Sequence, residues 1–226
     1  MKFSNVLMFA SFAFAAPAVE VEVRQQTVTG VVAQSVQTVQ STVNTNVAAI
    51  RTALDGVTGN VSAQVQAQVR ANLNAILAAL KTAGTTITGA TTGAAGGIIG
   101  AATGLTQQQI NDLAQAVQNT LDAVAAVNVI ITAEATDLTT PLRTFAQSEI
   151  NAIRAALNPF LAPVIVFARA VTFFSARVGI VVTGLANVTT SLTNYITNLL
   201  NSLGLGLSGL NINIPGAPVT NKRAAL

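Results

Sequence analysis

Residues 28–54 read VTGVVAQSVQTVQSTVNTNVAAIRTAL, and residues 61–80 read VSAQVQAQVRANLNAILAAL. In both stretches a Val, Ile or Leu recurs every three or four residues. The mean step is about 3.7 residues, which is the period of an amphipathic helix. Gln, Ser, Thr, Asn and Ala fill the positions between them. This pattern decides the fold class, because a strand would require alternation of apolar and polar residues.

These recurring Val, Ile and Leu residues form an apolar stripe, which is interrupted by Asp55-Gly56 and Gly59-Asn60. Asn is among the preferred residues at a helix N-cap. We therefore predict two helices, at 27–55 and 61–82. One long helix that tolerates the glycines is the alternative.

The segment 84–104 consists of Gly, Thr and Ala around three isoleucines. Interior glycines each cost a helix about 1 kcal/mol, which favours a flexible linker here. Glycines that recur every four residues, such as Gly89, Gly93 and Gly97, are also typical of closely packed helices. We predict a linker and keep the helix-packing element as the alternative.

The second half of the chain contains three further helix signals. Thr106 and Gln109 have the spacing of a capping box ahead of a helical stripe that runs to Ile131. Asp137 or Thr140 is then expected to cap a helix that ends at Leu157. Asn158 is a further N-cap candidate and Pro159 suits the first turn of a helix, so a last helix is predicted over 159–203.

These elements predict an all-α protein, a bundle of about five amphipathic helices that occupies residues 27–203. The final residues, 204–226, are expected to form an extended, irregular tail. Residues 1–18 match a secretory signal peptide, with Lys2 before a short apolar core and small residues at the cleavage site. Residues 19–26 are interpreted as a short propeptide, so the protein is expected outside the cell or in the cell wall.

The composition argues against an enzyme and against a nucleic-acid-binding protein. The chain has no His, no Cys and only eight Asp and Glu. These residue types perform most acid–base, nucleophilic and metal chemistry, so neither a catalytic set nor a metal or cofactor is expected. Apart from the pair Lys222-Arg223, the eleven Lys and Arg are scattered singly. Nucleic acid requires a clustered basic surface, and none is present.

Residues 164–185 are the most apolar window of the chain. On the membrane-insertion scale, Arg169 and Arg177 cost about 2.5–3.5 kcal/mol each near a helix centre, which roughly cancels the gain from the apolar side chains. A central helix buried in the bundle is therefore predicted in preference to a membrane span.

Glu149 falls on the apolar face of its helix, where a carboxylate requires a partner. The bases expected on the next helix are Arg169 and Arg177. We predict a buried ion pair with one of them, for which Glu149→Ala would cost roughly 3–5 kcal/mol. The alternative is that these residues anchor a lipid head group in an apolar cavity. Asn60 and Asn187 each begin an Asn-x-Ser/Thr sequon, so both are candidate glycosylation sites.

The leader, the Ala- and Val-rich amphipathic helices and the lack of Cys together resemble the fungal hydrophobic surface-binding protein A family and related cell-wall galactomannoproteins. The resemblance is one of composition over about 27–200, and it matches no motif. It implies a secreted helical bundle that adsorbs to hydrophobic surfaces or holds lipid.

Three functions therefore remain as expectations from the sequence. The first is a non-enzymatic protein that binds a hydrophobic surface, a lipid or a fatty acid, with peripheral membrane contact. The second is a membrane-active secreted effector or toxin. The third is a structural glycoprotein of the cell wall.

Overall fold

The computed structural model of the chain describes residues 27–57, 61–131 and 145–202. Within these ranges the protein is an all-α bundle of six helices, with no strand. The helices are α1 (Val28–Leu54), α2 (Ala63–Gly93), α3 (Gly97–Ala102), α4 (Gln107–Ile131), α5 (Gln147–Arg177) and α6 (Thr183–Ser202). The predicted signal peptide (1–18), propeptide (19–26) and tail (204–226) lie outside the described residues, as do Asn60 and the caps proposed at Asp137 and Thr140.

The stripe that decided the fold class forms the core of the first two helices. The valines of α1 at every third or fourth position are buried, and the stripe continues through Leu73, Ile76 and Leu80 of α2. Burying a side chain of this size contributes about 1.5–3 kcal/mol. The prediction of two separate helices is confirmed, with the break at Gly56, whose φ of 70° suits glycine.

Side chains cap the starts of α1, α2 and α4. The Oγ1 of Thr27 and the Oγ of Ser62 accept hydrogen bonds from the backbone N–H groups of Gly30 and Val65. The capping box predicted at the start of α4 is confirmed. The Gln109 N–H donates to Thr106 Oγ1 at 3.2 Å, and the Thr106 N–H donates to Gln109 Oε1 at 2.8 Å.

Helix α5 is the centre of the bundle, because it packs against α2, α3, α4 and α6. Its buried face includes Phe160, Val164 and Phe167, all with no exposed surface. By length and composition alone α5 could also cross a membrane, and it is the one such helix among the described residues. Half of its most apolar 18-residue window is buried inside the bundle.

The prediction of a linker over 84–104 is wrong for most of that segment. Helix α2 continues to Gly93, and α3 follows after a short turn. The reason is visible at Gly84, which packs against the backbone of α5. A Cβ placed there would lie 2.9 Å from the carbonyl oxygen of Pro159 and 3.2 Å from Phe160 Cα. Gly84 lies outside the four-residue repeat on which the helix-packing alternative was based, and a Cβ at Gly89, Gly93 or Gly97 would meet nothing within 4 Å.

The predicted helix start at Pro159 is also wrong. Helix α5 runs through Pro159 and Pro163 without a break. An interior proline costs about 3 kcal/mol or more, but the buried Phe160, Leu161 and Val164 on the same turns keep this stretch in the core. The chain instead leaves the helix after Arg177, where Gly179 adopts a φ of 77°. The break between the last two helices moves from residue 158 to 178–182, which leaves their number unchanged, and the extra α3 gives six helices in place of about five.

Candidate functional site

One end of the bundle carries exposed apolar side chains. Among the described residues the exposed large apolar side chains are Ile99 (39%), Val178 (71%) and Val181 (69%). We call these three residues the apolar tip. Ile99 lies on α3, and the two valines lie in the loop between α5 and α6. Exposed apolar side chains that lie together on a surface can mark a contact site, so the tip is the first candidate for one.

The loop that presents the two valines is held by hydrogen bonds on both sides. The N–H groups of Val178 and Ile180 both donate to the Ser175 carbonyl, at 3.2 and 3.1 Å. The Gln107 side chain at the start of α4 donates from Nε2 to the Val181 carbonyl at 3.1 Å. Ile180 between them packs against the core. The valines therefore project from a loop that is fixed to α4 and α5.

Beneath the tip lies a cavity of about 300 Å³. Its walls come from the end of α3 and the end of α5, and include Ala102, Phe174, Arg177 and Ile180. The Arg177 guanidinium lies over the ring of Phe173, with Cζ 4.4 Å from the ring centroid. Such a cation–π contact contributes about 0.5–1 kcal/mol at an exposed site and holds the side chain in place.

Arg177 is an isolated charge at this end. The segments 27–50, 82–111 and 170–202, which include every residue of the tip and its cavity, contain no other charged residue. Directly after the segment 82–111, the next charge along the chain is the carboxylate of Asp112, on the second turn of α4.

A second concavity, of about 410 Å³, lies between α1 and α2. Small side chains leave it open, among them Ser35, Thr38, Ala79 and Thr82. It is lined by no charged residue, and its polar groups are the Gln34 amide and the hydroxyls of serine and threonine.

The predicted pairing of Glu149 with Arg169 or Arg177 is wrong. Glu149 Oε1 lies 3.7 Å from the Nε of Arg70 on α2. The same guanidinium donates two hydrogen bonds to the Phe145 carbonyl, at 3.0 and 2.6 Å. This contact ties α2 to the start of α5, at the opposite end from the apolar tip. The Arg70 side chain is 48% exposed and the Glu149 side chain 15% exposed, so the pair lies at the bundle edge and solvent reaches it through Arg70.

The two arginines expected to pair with Glu149 have other contacts. Arg169 is half-buried between α5 and α6 and donates from Nη2 to Thr193 Oγ1 at 3.3 Å. Burial lowers the pKa of Arg169 below its usual value. Arg177 stacks on Phe173 at the end of the same helix. Of the three residues proposed as a head-group anchor, Arg177 alone lines a cavity at the apolar tip.

The position of Glu149 predicts a small, pH-dependent contribution to stability. The hydrogen bond from Ser148, at 2.6 Å, lowers the pKa of Glu149, with smaller help from its own backbone N–H and Arg70, while burial opposes the change. A lowered pKa means that the folded state favours the ionised form. The contribution is therefore present above about pH 4.5, the ordinary value, and is lost as pH falls through the lowered pKa.

We expect Glu149→Gln to destabilise by less than about 1 kcal/mol at pH 7, because the pair is solvated, and not by the 3–5 kcal/mol of a buried pair. Urea titrations at pH 7 and pH 3 measure this difference. The gap between wild type and Glu149→Gln should narrow at pH 3. A loss of several kcal/mol at pH 7 would show that the carboxylate is buried after all.

Of the two candidate glycosylation sites, Asn187 lies within the described residues and is exposed on α6. The hydroxyl of its sequon partner Thr189 is buried and donates to the Leu185 carbonyl at 2.6 Å. A sugar on Asn187 would point into solvent. The described residues contain no group of three or more His, Cys, Asp or Glu that could hold a metal ion.

The sequence did not reveal the apolar tip, because residues 178–182 read as the interior of a helix over 159–203. Gly179 inside an uncharged stretch was the signal available for a turn there. Comparison with known protein families, with curated proteins and with solved structures finds no match to this chain. The site therefore has to be interpreted from its own geometry.

Proposed function

We propose that this protein is a secreted, non-enzymatic protein that binds hydrophobic surfaces or lipids, and that the cell wall is one of its locations. The observation that carries the proposal is the apolar tip, where Val178 and Val181 are about 70% exposed on a loop that is hydrogen-bonded to α4 and α5. Apolar area removed from water contributes about 25 cal/mol per Å², which supplies the binding energy. The resemblance in composition to hydrophobic surface-binding proteins supports the same proposal.

Adsorption should be largely independent of salt, because apolar contact and not charge supplies most of the energy. The measurement is binding of the secreted protein to hexadecane droplets and to a fatty acid, at low salt and at about 1 M NaCl, where the screening length is only about 3 Å. We expect similar binding in both conditions. Absence of binding in both would discard the proposal, and binding that disappears with salt would assign it to the Arg and Lys residues.

A second candidate, a membrane-active effector, is favoured by the length and hydropathy of α5. Insertion of α5 would require the bundle to open, since the helix packs against four others. Release of dye from phospholipid vesicles separates the two candidates. Surface binding without leakage supports the first, and leakage at low protein concentration supports the second.

A further inference from the structure

The end of α5 places apolar side chains beside a cation, and these are the two kinds of group that a phospholipid surface can bind. Val178 and Val181 follow the last residue of the helix, and the Arg177 guanidinium lies over Phe173. Arg177 and Val178 also line the same cavity. In a bilayer the acyl chains lie innermost and the phosphate groups lie one layer outside them. Long basic side chains commonly place their charge at that outer level while their apolar neighbours insert.

The charge at this end is also complementary to phosphate. Arg177 is the one charged residue in segments 27–50, 82–111 and 170–202. An arginine guanidinium forms two parallel hydrogen bonds to a phosphate group. The cavity of about 300 Å³ beside Arg177 leaves space for a head group.

We infer that the apolar tip docks this protein on a phospholipid bilayer, with the Arg177 guanidinium bound to lipid phosphate and Val178 and Val181 inserted among the acyl chains. This inference rests on the proposed function and names its partner. It predicts separate contributions to binding. The valines provide affinity for any apolar surface, and Arg177 adds a preference for phospholipid.

The experiment compares two surfaces, one with phosphate and one without. Flotation with phosphatidylcholine vesicles that contain phosphatidylglycerol measures the first, and adsorption to hexadecane droplets measures the second. Val178→Ser combined with Val181→Ser should weaken binding to both surfaces at least tenfold, because two apolar side chains are lost. Arg177→Gln should weaken vesicle binding about fivefold and leave hexadecane adsorption unchanged, as expected for one basic residue at an anionic membrane. Arg177→Lys should restore part of the vesicle binding, since it retains the charge.

Each variant has a matched control at the far end of the bundle. Arg51 also lies in the last turn of a helix and is exposed, so Arg51→Gln removes the same charge away from the tip. Ala67 and Ala71 are exposed near the start of α2, so serine at both removes apolar surface there. Both controls should bind like wild type. Circular dichroism melting curves establish that every variant is folded.

The results separate this inference from the proposed function. If wild type adsorbs to neither surface, the proposed function fails. If wild type adsorbs to hexadecane but Arg177→Gln binds vesicles as wild type does, lipid phosphate is not the ligand and the inference is overturned, while the proposed function stands. If replacing both valines with serine leaves vesicle binding unchanged, the inference is also overturned. Self-association that depends on the valines, with vesicle binding unchanged, would assign the tip to a second copy of the chain.

Discussion

Gly84→Ala should destabilise this protein by about 1–3 kcal/mol, and Gly84→Val by at least as much, because the new side chain has no space between α2 and α5. A Cβ at this position would lie 2.9 Å from the Pro159 carbonyl oxygen and 3.2 Å from Phe160 Cα. Both are backbone atoms of a central helix, so they cannot move aside as a flexible side chain would. The helices must separate, and the buried Ile87 and Phe160 beside the contact lose packing with them.

Gly89→Ala is the matched control on the same helix. A Cβ there meets nothing within 4 Å, and the position is exposed. Alanine in an open helix interior is favoured over glycine by about 0.5–1 kcal/mol, so this variant should be slightly more stable than wild type. Thermal melting followed by circular dichroism measures both changes. Equal melting temperatures for the two alanine variants would contradict the close approach of α2 and α5.

Phe167→Ala should destabilise by about 3–5 kcal/mol, the usual cost of removing a buried aromatic side chain. Phe167 has no exposed surface and lies on the face of α5 that the other helices cover. A loss of this size is a large part of the roughly 5–15 kcal/mol that stabilises a typical domain. Chemical unfolding in urea at pH 7 provides the measurement.

Phe173→Ala provides the comparison for Phe167, because it removes the same side chain from the same helix. Phe173 is half-buried and contacts Phe174 and Arg177 at the end of the bundle. Phe173→Ala should lower the free energy of unfolding by clearly less than Phe167→Ala does, since the Phe173 side chain withdraws less apolar area from water. If both substitutions lower the free energy of unfolding equally, α5 does not have one buried and one open face.

The all-α fold followed from the sequence because the signal is local. The valine stripe of α1, the break at Gly56 and the capping box at Thr106 each depend on residues within one or two turns, and all three predictions are confirmed. The predictions that failed depend on contacts between distant segments. Gly84 remains helical because it meets Pro159, and Pro159 remains helical because its neighbours are buried.

The same limit applies to the candidate site. The apolar position of Glu149 indicated that it needs a partner, but its partner Arg70 lies on a helix far earlier in the chain. Arg169 and Arg177 were predicted as partners because they were expected on a separate, neighbouring helix, whereas they lie on the same helix α5 as Glu149. The apolar tip was missed for a related reason: whether Val178 is covered depends on α3 and α4, and not on its own helix.

The position of the apolar tip at the end of the bundle, and not along its side, determines how the molecule stands on an interface. Contact through that end directs the axis of α5 away from the surface. A helix of 31 residues rises about 46 Å at 1.5 Å per residue. Molecules docked through the proposed contact would stand with α5 upright on the surface, and the end that carries the Arg70–Glu149 pair would face water.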